Sequence, residues 1–306
     1  CQLWKSREYS RSCAPCHSVN SNGNASTDSL SGYLATSDAR YQDVQCESCH
    51  GPGLTHVTAP GLSNRPLASI AVDTGAAIGN GCGECHTGDH DPFVDEWVET
   101  KSSGHAHLEA HALGNAACTN CHVGQNALLA WNVNTNYLEA NQAATNPMAI
   151  TCAVCHDPHG GPNVAQLRFP IGVLDTAGNL CMRCHQRDGK PVAPAGQYGP
   201  MSPEGPVLLG YAGYFPPSYT GPDTIIGTHG SAANANLCVT CHMGKLTVND
   251  ASGKLVTSYM GHNFSAAPCL DANGVPTTGT CDISQRSFDA CATSGCHGSP
   301  AAARSA

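Results

Sequence analysis

Apolar residues are thinly spread along this chain and rarely settle into a sustained period. Pro92 to Leu113 sets Trp97, Val98 and Leu108 behind early acidic residues and predicts a helix. Asn126 to Ala144 predicts a second, weaker one. From Gly189 to Gly230 the chain is crowded with Pro, Gly and Tyr, and this segment, 189–230, reads as a long ordered loop, with a linker as the competing reading. The tail after Gly298 reads as a plain surface terminus. No apolar run approaches the roughly 18 residues of a membrane span. The expected fold is therefore mostly irregular coil with short α-helices and little or no β-sheet, in one unit spanning 1–306.

Composition sharpens that picture. Charged residues make up 12% and aromatics 6%, while 33 glycines and 20 prolines supply abundant turn chemistry. A chain so poor in large apolar side chains cannot build a conventional core, so something other than side chains must fill its interior. The net charge of −9 makes nucleic acid an improbable partner.

The cysteines say what the filler is. Seven motifs read C-x-x-C-H: Cys13, Cys16 and His17; Cys46, Cys49 and His50; Cys82, Cys85 and His86; Cys118, Cys121 and His122; Cys152, Cys155 and His156; Cys181, Cys184 and His185; Cys238, Cys241 and His242. With 16 histidines in 306 residues, a histidine after all seven pairs would arise by chance about once in a billion. Structural zinc favours Cys pairs but gives no reason for the adjacent histidine. Covalent haem c does: the two thiols add to its vinyl groups and the imidazole binds iron from one side. The porphyrins then form the apolar interior, as a haem-packed array with one haem per short unit. Attachment of this kind takes place outside the cytoplasm, so an export signal is expected to have preceded the sequence.

An eighth site departs from the pattern. Cys296-His297 has no cysteine three residues before Cys296. Cys291 would give C-x₄-C-H and Cys281 would give C-x₁₄-C-H; the shorter span is nearer the usual geometry, and Cys291 is the expected partner. Cys269 and Cys281 would then be left to form a disulfide, or Cys269 and Cys291 if Cys281 serves the haem. Cys1, at the start of the sequence, is a candidate for lipidation, with a bridge to a neighbour or a plain thiol as the other readings; a membrane enters only through such an anchor.

Eight attaching histidines leave eight others: His56, His90, His105, His107, His111, His159, His229 and His262. That number is what bis-histidine ligation of eight irons requires, and the five methionines carry no matching pattern. The segments CESCHGPGLTH and CAVCHDPHGG, which place His56 and His159, resemble recurrent motifs of multihaem cytochromes. That resemblance implies that the downstream histidine reaches a haem other than its neighbour. The stretch from Cys82 to His111 is similar to the cytochrome c554-type pattern, which implies a Trp-bearing helix delivering distal ligands; His105, His107 and His111 compete there, with one of them surplus.

Closed coordination at every iron argues for electron transfer rather than catalysis, and no C-x-x-C-K of the octahaem reductases is present. The chain resembles the subunits of extracellular cytochrome nanowires in its haem motifs, low charge and Gly/Pro-rich loops. That resemblance implies a head-to-tail homopolymer passing electrons to other redox proteins or extracellular acceptors. The alternative is a discrete carrier in the periplasm or anchored on the outer membrane. About 38 residues per haem is too little protein to bury every porphyrin, and exposed haem edges are natural stacking surfaces for a further copy.

Overall fold

A computed structural model of the protein describes residues 13–19, 32–68, 70–72, 81–88, 90–102, 104–133, 147–186, 202–210, 228–277, 279–293 and 296–306. Cys1 lies outside these residues. The chain is mostly coil punctuated by helices of one or two turns, with two small antiparallel hairpins. Leu246–Asn249 pairs with Leu255–Tyr259, and Cys269–Leu270 pairs with Pro276–Thr277. No helix among the described residues is long and apolar enough to cross a membrane.

Seven of the described helical turns are the attachment motifs themselves. Ala14–His17, Cys46–His50, Ala116–His122, Cys152–Cys155 and Cys238–His242 are α-helical, while Cys82–Glu84 and Cys181–Arg183 are 3-10 turns. A single helical turn brings residues three and four apart onto one face, so both thiols and the imidazole of C-x-x-C-H point the same way. Such short helices are marginal alone and depend on their surroundings.

The predicted helix from Pro92 to Leu113 is broken in three. Phe93–Val98 is α-helical, Glu99–Ser102 tightens into a 3-10 turn, and Ala110–Leu113 is a separate turn of helix. Thr100 causes the break: its hydroxyl donates to the Trp97 carbonyl and accepts from the Ala106 amide at 2.8 Å, diverting the backbone from the helical ladder. Of the predicted helix from Asn126 to Ala144, Gly124–Ala130 is helical and 134–146 lies outside the described residues. The 189–230 segment contains a helix at Glu204–Leu208, and most of the rest lies outside the described residues. The tail is also helical, over Pro300–Ser305, because the Ser299 hydroxyl accepts from the Ala302 amide and Pro300 fits the first turn.

Side-chain cores are small. Ile70, Ala127, Leu128, Ile150, Ala153 and Val154 form one cluster, and Met182, Leu209 and Leu237 another. Between them the Arg183 guanidinium lies 3.5 Å from the Phe169 ring centre and 5.6 Å from that of Trp131. Asn179, wholly buried, organises the turn that follows it. Its amide nitrogen donates to the Ile171 carbonyl at 2.6 Å and the Val173 carbonyl at 3.2 Å, and its oxygen accepts from the amides of Cys181 and Met182. Replacing it with alanine leaves those buried groups without partners, at a cost of about 2 kcal/mol. Asn179→Ala is expected to lower the thermal midpoint of the loaded protein by about 5 °C, followed by circular dichroism.

Candidate functional site

The site is built first from the attaching histidines. The Nδ1 atom of His50 lies 2.9 Å from the Pro66 carbonyl, that of His156 2.8 Å from Ala165, and that of His242 2.8 Å from Phe264. The Nδ1 of His86 instead meets the Asp91 carboxylate at 2.8 Å, and that of His185 the Glu204 carboxylate at 3.3 Å. An acceptor on Nδ1 fixes the tautomer and leaves Nε2 with its lone pair exposed, which is the arrangement of a metal-binding imidazole. Among the spare histidines, His107 and His56 are held the same way, by the Lys101 carbonyl at 2.8 Å and the Asn64 side chain at 3.1 Å.

The second feature is that imidazoles face one another. His50 and His159 have ring centres 6.1 Å apart, His156 and His262 6.3 Å, His229 and His297 6.3 Å, His111 and His122 6.4 Å, and His105 and His185 5.9 Å. Each pair joins one attaching histidine to one spare histidine, and no residue is used twice. Two imidazoles on opposite sides of one metal ion, each bonded at about 2 Å, have ring centres about 6 Å apart. The five pairs therefore have the separation of axial ligand pairs. His17, His86 and His242 make no such pair among the described residues, nor do His56, His90 and His107. Of the three competitors after Trp97, His105 and His111 face attaching imidazoles and His107 does not. The Nε2 of His111 is 3.0 Å from the Glu109 carboxylate, which leaves Nδ1 as its available nitrogen.

Electrostatics agree with ligation. Burial, with the neighbouring His185 and His242, pulls the His105 imidazole down to about 4. Burial does the same to His262, again to about 4. Both rings are thus neutral at physiological pH, as a metal ligand must be. The Asp91 carboxylate has the opposite effect on His86 and raises it.

Thiols of different motifs adjoin. The Cys16 thiol lies beside that of Cys85, Cys82 beside Cys152, Cys121 beside Cys184, Cys181 beside Cys238, and Cys241 beside Cys291. Cys155 lies within electrostatic range of Cys181 and Cys184, and Cys49 within that of Cys82. The motifs therefore form one connected set, in the spatial order first, third, fifth, sixth, seventh, eighth. The second sits beside the third and fifth, and the fourth beside the sixth.

At the eighth site Cys269 and Cys281 form a disulfide, and Cys291 is in none. A small cavity is lined by His229, Asn234, Cys241, Cys291, Cys296 and His297. Asn234 ties this region together, donating to the His229 carbonyl at 2.7 Å and accepting from Thr240 of the seventh motif at 2.6 Å. Two glycines permit close approaches at ligand residues. A Cβ on Gly205 would lie 2.7 Å from the His185 carbonyl, and one on Gly261, where φ is +80°, would lie 2.5 Å from Met243.

These residues fit haem c: each of the seven standard motifs puts two thiols outside any disulfide beside an imidazole, and five imidazoles that directly follow a cysteine face a second one about 6 Å away. They do not fit a bare metal, since no group of three or more His, Cys, Asp or Glu converges on a point among the described residues.

Comparison with known proteins agrees. Residues 146–190, holding the fifth and sixth motifs, match the family model of the doubled CXXCH motif. Over 191 residues, 57% of this chain, the sequence is 23% identical to the multihaem cytochrome MtrA of Shewanella baltica (strain OS185), covering 52% of that protein. The chain thus spans about half the length of the curated relative it matches. No solved structure matches it. The motifs and this distant similarity support a multihaem c-type cytochrome with covalently bound haem c.

The disulfide leads to a test of the eighth site. Cys281→Ser is expected to open the Cys269 bridge and leave the haem content unchanged. Cys291→Ser is expected to remove one thioether, so that peptide mass mapping finds a haem held through Cys296 alone.

Proposed function

We propose that the chain conducts electrons through eight bis-histidine haem c groups, as the subunit of an extracellular filament. The observation that carries the ligation reading is the set of five facing imidazole pairs. In it His159 serves the haem of His50, His262 that of His156, His229 that of His297, His111 that of His122 and His105 that of His185. His56, His90 and His107 are left for the irons of His17, His86 and His242. When bound, haem c supplies a one-electron couple whose potential is low because imidazole lies on both sides. The protein contributes orientation, through the Nδ1 acceptors, and a continuous order of motifs through their adjoining thiols.

Export is supported by the Cys269–Cys281 disulfide, which belongs in an oxidising compartment. Assembly is supported by the small share of protein per haem, about 38 residues, which leaves porphyrin edges open to a further copy, and a head-to-tail contact between copies builds a fibre. The partners on this reading are copies of the chain and extracellular electron acceptors.

Two measurements test these readings. His159→Ala is expected to turn one haem from low-spin to high-spin in the electron paramagnetic resonance spectrum. Mass mapping with a haem-directed label would place that haem on Cys46 and Cys49, not on the adjacent Cys152 and Cys155. Negative-stain microscopy of the native secreted protein is expected to show uniform fibres; dispersed particles would make it a discrete carrier.

A further inference from the structure

A buried carboxylate links two parts of the chain that lie far apart in sequence. Glu96, on the helix Phe93–Val98, is 5% exposed and has no cation beside it in the ion pairs of the described residues. Its two oxygens accept from the backbone amides of Met260 at 2.6 Å and His262 at 2.7 Å, across 164 and 166 residues. Burying a carboxylate without a counter-charge is costly and is sustained by hydrogen bonds of this kind. The segment so held is tightly constrained. Gly261, between the two donors, has φ of +80° and leaves no room for a Cβ against Met243.

The same helix grips the His262 ring. Phe93 meets it edge-on with centres 4.8 Å apart, and Phe264 meets it from elsewhere at 6.2 Å. Among the described residues the Nδ1 of His262 is buried without a hydrogen-bond partner, unlike that of His50, His156 or His242. Its ring orientation is thus set by packing and by its own backbone, not by an acceptor on Nδ1. The other side of the helix holds His86. The Asp95 carboxylate accepts from the Thr87 hydroxyl and the Gly88 amide, the Val94 amide donates to the His86 carbonyl at 3.0 Å, and Phe93 meets the His86 ring at 5.6 Å.

We infer that Glu96 and Phe93 are positioning residues for His262 as an axial iron ligand opposite His156, so that one short helix sets ligands at both the third and the fifth motifs. The inference rests on the pairing of His156 with His262 proposed above. Glu96 does this work through the amides of residues 260 and 262, which it anchors, and Phe93 through the ring itself. The adjoining thiols of Cys82 and Cys152 place these two motifs next to each other, so a single helix can reach both.

The test uses the fully loaded protein and electron paramagnetic resonance at neutral pH. His262→Ala comes first, and is expected to convert one haem from low-spin to high-spin. Glu96→Gln is then expected to cause the same loss of one low-spin haem, with the far-ultraviolet circular dichroism unchanged and with millimolar imidazole restoring the low-spin signal. If His262→Ala converts one haem and Glu96→Gln converts none, the positioning role is overturned and the pairing stands. If His262→Ala leaves every haem low-spin, the pairing falls and the positioning role with it. Should Glu96→Gln not accumulate in loaded form, Phe93→Leu gives the second reading: loss of the same low-spin haem, rescued by imidazole, supports the role, and an unchanged spectrum overturns it.

Discussion

Five pairs of imidazoles face each other across about 6 Å, and much of the described structure serves to hold the residues that carry them. The facing residues are rarely close in sequence. His105 meets His185, His156 meets His262, and His50 meets His159. Each such pair closes a long loop, and loop closure is a cost that covalently attached porphyrin and metal bonds are well placed to offset. The chain can therefore dispense with long helices and extended sheets. Its regular structure shrinks to the single turns that aim two thiols and an imidazole in one direction.

The small side-chain cores follow from the same constraint. The clusters around Leu128 and Met182 flank the fourth, fifth and sixth motifs and do not amount to a conventional interior. Precision comes instead from polar contacts at the motif turns. Asn179 caps the sixth motif, Asn234 joins the seventh to His229, and Arg168 reaches the Ala153 carbonyl and the Asp157 carboxylate around the fifth. Each of these contacts fixes the backbone beside a motif or a facing histidine.

The attachment motifs, the coil-rich fold and the surplus of eight histidines were legible because each is a local pattern. C-x-x-C-H declares itself within five residues, and a composition with 12% charge and many glycines and prolines leaves little else to build. The histidine pairs were not legible, because a partner 106 residues away, as His262 is from His156, leaves no trace in spacing. The continuous helix from Pro92 to Leu113 failed for a local reason visible only afterwards: the Thr100 hydroxyl takes the Ala106 amide. The capped tail at Ser299 and Pro300 could have been read, since Ser followed by Pro is a helix-start signal. Glu96 gave no signal at all, being one carboxylate among several near Trp97 whose partners lie beyond residue 259.

The arrangement of adjoining motifs has a consequence for damage. In a single file, losing any member severs the whole. Here the second motif neighbours both the third and the fifth, so it offers a detour around their shared contact, while the fourth hangs from the sixth as a spur. By these described contacts the third, fifth, sixth and seventh motifs are each junctions, and losing the sixth divides the set into three. Without it the first, second, third and fifth fall on one side, the seventh and eighth on the other, and the fourth is stranded. The doubled motif of residues 146–190 contains two of these junctions, the fifth motif and the sixth.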